Sequence, residues 1–86
     1  EVPRVESRID ARADELEQLR VDMAANSARL IAGEATAEER VRLLMETKEM
    51  SRREGELESE IASLHRQAAV ARSRLEDYEA RAASAY

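Results

Sequence analysis

The stretch Leu30-Ile31-Ala32-Gly33-Glu34-Ala35-Thr36-Ala37-Glu38-Glu39 decides how the chain folds. Gly33 suits the position just past a helix C-terminus, where the backbone turns left-handed and a side chain would be strained. Thr36 with Glu39 reads as a capping box, and Ala37 and Glu38 fit a first turn that favours negative charge. A stop, a short connection and a start stand in the right order. Without that break the Ala and Glu around Gly33 would carry one helix straight through.

Outward from this point the apolar residues recur at alternating steps of three and four, the heptad of a helix that packs along another helix. On the N-terminal side Val2, Ile9, Leu16, Met23 and Leu30 take position a. Val5, Arg12, Leu19 and Asn26 take position d, where Arg12 and Asn26 are misfits. On the C-terminal side Leu43, Met50, Leu57, Leu64, Ala71, Tyr78 and Ala85 take d. Arg40, Thr47, Glu54, Ile61, Ala68, Leu75 and Ala82 take a. The two frames are out of step by three residues. Either the helix reverses near Gly33, or one continuous helix carries a local overwinding in a parallel dimer. In a parallel dimer Arg12, Arg40 and Glu54 would each face their own copy, which is unfavourable. The reading is therefore all-α: an antiparallel helical hairpin of coiled-coil type. Helix 1 is predicted over about residues 4–32, the connection over 33–36 and a longer helix 2 over about 37–83.

Two registers fit so short a connection. One sets Leu30 against Leu43, Met23 against Met50, Leu16 against Leu57 and Ile9 against Leu64. The other shifts the helices by one heptad and sets Arg12 against Glu54, Leu16 against Met50, Ile9 against Leu57 and Val5 against Ile61. The second is preferred, because a charge left alone on a seam is costly and Arg12 and Glu54 would satisfy each other.

Composition bounds the chemistry. Among 86 residues 16 are Ala, and Phe, Trp and Cys are absent, so the material for a thick core is lacking. Charged residues make up 38% of the chain. A chain rich in Ala, Glu, Arg and Leu points to long helices. Net charge is −5 and the 13 arginines are dispersed, which disfavours nucleic acid and anionic membrane as partners. No apolar run approaches the roughly 20 residues of a membrane span. His65 is the single histidine, too little for a transition-metal site. Ser7, Ser51, Ser59 and Ser63 belong to no nucleophile–base arrangement, and Gly33 and Gly55 are isolated, so no phosphate-binding loop is present. The many carboxylates lie on helix faces that offer no pocket to tune them. No catalysis, cofactor, metal or small-molecule ligand is expected.

What remains is association. The seam and oligomer interface is assigned to Val5, Ile9, Leu16, Leu19, Met23, Leu30, Leu43, Met50, Leu57, Ile61, Leu64, Leu75 and Tyr78. The tail from Ala68 to Ala85 buries little by itself and needs a neighbour, either a second copy or a flanking segment of a longer protein. Ile31, Val41, Leu44 and Met45 lie off the seam near the connection and form a possible partner contact. Lys48, Arg52 and Arg53 form a small basic cluster beside Gly55, which costs about 1 kcal/mol in a helix interior. The expected role is a non-catalytic oligomerisation or scaffold segment of a larger intracellular protein, cytoplasmic or cytoskeleton-associated. The alternative is an adaptor that recruits a helix or a cytoskeletal filament through the tip or the basic cluster.

Overall fold

The computed structural model describes residues 2–85 and is all-helical over them, with two helices and no strand among the described residues. Helix α1 spans Val2–Ala32 and helix α2 spans Ala37–Ser84. The molecule is a rod of 74 × 15 × 15 Å. At 1.5 Å per residue the 48 residues of α2 account for about 72 Å, so α2 alone sets the long axis. Pro3 lies in the first turn of α1, where a missing N–H costs nothing.

The connection is built as local chemistry demands. Among the described residues Gly33 is the one at positive φ, 71°, which ends α1. Thr36 is extended at φ −67° and ψ 166°, and its side-chain oxygen accepts from the Glu39 N–H at 3.2 Å. The Thr36 carbonyl accepts the first helical bond from the Arg40 N–H at 2.9 Å. Only this half of the capping box forms, since the Glu39 carboxylate turns to Arg29 at 3.8 Å. Glu38 and Glu39 in the first turn of α2 complement its dipole.

The helices lie side by side and run in opposite directions. Val5, near the start of α1, clusters with Leu64 and Ala68 of α2, and Ile9 packs on that cluster. Asn26, near the other end of α1, donates to Glu46 and Thr47 at 3.4 Å each. The buried apolar residues are Val5, Leu16, Leu43, Leu57, Leu64 and Ala68, with Leu57 wholly enclosed. This is a single file of side chains, as expected between two rods.

The register differs from the one preferred on sequence grounds. Every pairing lies one heptad further along α2, in the frame that sets Leu16 against Leu57 and Ile9 against Leu64. Arg12 therefore meets Glu60, at 2.9 Å, and not Glu54. Glu54 instead receives Arg20, at 3.0 Å. The sequence-based preference rests on the cost of an unpaired charge in the seam, and that cost is avoided another way. The long Arg12 side chain carries its guanidinium out of the seam to the flank, where Glu60 and Glu15 both reach it and 40% of the side chain stays exposed. With the charge satisfied there, burial of aliphatic side chains selects the register.

Ion pairs run along both flanks. Arg53 donates to Glu15 at 2.9 Å and to Glu56 at 3.2 Å. Arg20 bridges Glu54 and Glu58, and Arg72 meets Glu6 near the far end of the pair. Hydrogen bonds from Arg53, and then from Arg12, hold the Glu15 carboxyl below its ordinary pKa against the opposing effect of burial. The bond to Glu15 raises the Arg53 guanidinium value, while that of Arg12 is raised first by its bond to Glu60 and then by Glu15. Thr47, a polar residue on the α2 seam, gives its hydroxyl hydrogen to the Leu43 carbonyl at 2.7 Å and so enters the seam without an unmet donor.

Candidate interaction surface

The residues assigned to the seam fall into three groups. Val5, Leu16, Leu43, Leu57 and Leu64 are buried between α1 and α2. Ile9, Leu19, Met23, Leu30, Met50 and Ile61 are half-buried along the same line. Leu75 and Tyr78 continue that line but are 53% and 72% exposed. Val5 already packs on Leu64 and Ala68, so none of the described residues of α1 lies beside Leu75 and Tyr78. Every described residue from Arg72 onward is exposed.

The polar residues Arg12 and Glu54 are not brought together, as described above. The basic cluster also comes apart. Arg52 pairs with Glu49 and Glu56, and Arg53 with Glu15 and Glu56, which leaves Lys48 as the only member without an ion pair among the described residues. Three of these four pairs lie within α2 at spacings of three or four residues, and the fourth, Arg53 to Glu15, crosses between the helices and depends on register.

At the tip Ile31, Val41, Leu44 and Met45 are all on the surface, and Ile31 is the most exposed of them at 86%. Val41, Leu44 and Met45 share one side of α2. Counted at 3.6 residues per turn, that side lies opposite Leu43, Met50 and Leu57, hence away from α1.

A second apolar surface has no counterpart in the seam assignment. An open groove runs along α2 beside the first turns of α1. Val2 and Val5 of α1 and Val70, Ala71 and Leu75 of α2 form its apolar wall. Arg66, Arg74, Gln67 and Ser63 supply its polar lining. Val70 is 49% exposed and stands one place off the seam beside Ala71. The signal that could have pointed to it is the pairing of an off-seam Val with two arginines four residues to either side. A shallower concavity lies on α1, between Ala13, Glu17, Arg20, Val21 and Ala24.

For other chemistry the surface offers little to assemble. Among the described residues no group of three or more His, Cys, Asp or Glu side chains converges in a way that could hold a metal ion. No helix among the described residues is long and apolar enough to cross a membrane. No protein-family model matches the chain, and no curated protein and no solved structure does so either.

Proposed function

We propose that the chain is a non-catalytic association segment: an antiparallel coiled-coil hairpin with a long second helix, which holds copies of a larger protein together through the exposed stretch of its seam at Leu75 and Tyr78. The observation that carries this reading is the continuity of one heptad line. Leu57, Leu64 and Ala68 are buried on it, and Leu75 and Tyr78 are exposed on it in the same frame. Apolar side chains at heptad spacing are suited to burial against a helix, and exposed ones mark a contact surface.

Sedimentation equilibrium over a hundredfold range of concentration tests the proposal. The expected result is reversible self-association, weakened by Leu75→Ala with Tyr78→Ala while helicity is kept. A strict monomer at every concentration overturns it.

A second reading is an adaptor that recruits another protein through the tip. It is favoured by Ile31, Val41, Leu44 and Met45, each of them exposed near the connection between the helices. Ile31→Glu with Val41→Glu would abolish such recruitment and leave self-association through the seam intact.

A further inference from the structure

Val41, Leu44 and Met45 are all more than half exposed on the side of α2 turned from α1. Two charged residues bound this patch along the helix, Glu38 before it and Lys48 after it. Both are exposed. Neither belongs to an ion pair among the described residues. Their neighbours differ: Glu39 meets Arg29, and Arg52 meets Glu49 and Glu56. The one acid and the one base that frame the patch are therefore left over when the hairpin is complete.

Their placement is self-complementary. At 3.6 residues per turn, residues seven apart stand on nearly one line of a helix. Glu38 and Met45 share such a line on α2, and Val41 and Lys48 share the line beside it. The span from Glu38 to Lys48 is centred on residue 43, and so is the span from Val41 to Met45. A two-fold axis at that level, perpendicular to the helix, lays α2 antiparallel on a second α2. Each Glu38 then stands level with Lys48 of the second copy, and each Val41 with Met45 of the second copy. Leu44 lies one residue from the centre, so it comes within about 3 Å of its own copy along the helix axis. Leu43, Met50 and Leu57 point the other way, into α1, so α1 does not stand between the copies.

We infer that the face of α2 formed by Val41, Leu44 and Met45 docks on the same face of a second copy of the chain, antiparallel, with Glu38 of each copy set against Lys48 of the other. The occupant is a copy because the face carries its own charge complement at equal distances from one centre, as an isologous contact requires. The contact rests on the self-association proposed above and adds a surface separate from Leu75 and Tyr78.

Charge exchange tests it in a chain that carries Leu75→Ala and Tyr78→Ala, so that the tail contributes nothing. This background chain is expected to dimerise still, and Leu44→Glu is expected to abolish the dimer. Lys48→Glu sets acid against acid twice and should weaken dimerisation at least about tenfold. Glu38→Lys sets base against base and should do the same. An equimolar mixture of these two variants should recover a mixed dimer, and so should Glu38→Lys with Lys48→Glu in one chain. Glu38→Lys also removes a favourable charge from the first turn of α2, so circular dichroism monitors helicity and Lys48→Glu, in the helix interior, carries the test by itself. A monomeric background chain overturns the inference and leaves the face to the different protein of the adaptor reading. Charge variants that dimerise as tightly as the background, or a mixture no tighter than its components, also overturn it. In each case association of the native chain through Leu75 and Tyr78 would still stand, whereas a native chain that never associates removes both.

Discussion

Leu57 and Tyr78 occupy the same heptad position of α2, three heptads apart, and their fates are opposite. Leu57 is wholly enclosed and Tyr78 is 72% exposed. Nothing local separates them. Both lie in one unbroken helix, and both are large and apolar. The difference is that the described residues of α1 run beside the first and not beside the second. A heptad position is a demand for cover, and whether the demand is met depends on what lies beside it. The covered stretch of α2 therefore provides stability, and the uncovered stretch is the surface on which association is proposed.

The largest expected contrast comes from truncating these two side chains. Leu57→Ala should destabilise the folded chain by about 2–5 kcal/mol, because it opens a void where nothing can collapse to fill it. Tyr78→Ala should change stability by less than about 0.5 kcal/mol, as for other exposed sites. Urea denaturation of both variants, under conditions where the chain is monomeric, measures the pair. Similar losses would show that the tail is covered within a single chain.

The two glycines give a second contrast, near 1 kcal/mol in size and opposite in sign. Gly33 sits at φ 71°, a conformation that strains any side chain, so Gly33→Ala should cost about 1 kcal/mol. Gly55 lies within α2, and a β-carbon added there would meet nothing within 4 Å, so Gly55→Ala should gain about 1 kcal/mol. Thermal melts that move in the same direction for both would contradict the assignment of Gly33 to a turn and Gly55 to a helix interior.

The smallest effect separates the two registers. A double-mutant cycle on Arg20→Ala and Glu54→Ala should show a small favourable coupling, typical of exposed pairs. The cycle on Arg12→Ala and Glu54→Ala should be additive, since those side chains have other partners. The reverse pattern would restore the register shifted by one heptad.

The helical class and the place of the break were legible in the residues because both are governed locally. Heptad spacing calls for a helix, glycine at positive φ ends one, and a threonine hydroxyl starts the next. The register was not legible by the same means. Setting Arg12 against Glu54 treats the seam as a closed space in which a charge must find its partner directly opposite. In so thin a molecule every seam residue is within reach of a flank, and arginine is long enough to get there. The groove was hidden for a related reason. Val70 is off the seam by its spacing, and only the packing of Val2, Pro3 and Val5 beside α2 makes a concavity there.

Spacing, caps and turn chemistry act over a few residues, and so the chain by itself determined that it is two unequal helices joined near Gly33. Only the packed structure decided which heptad of α2 meets which heptad of α1, and therefore which carboxylate each arginine finds and how much of α2 is left bare. That choice depends on the summed burial of many weak side-chain contacts over the whole length of the rod. A shift of one heptad preserves every local rule, so no local rule can choose between the alternatives.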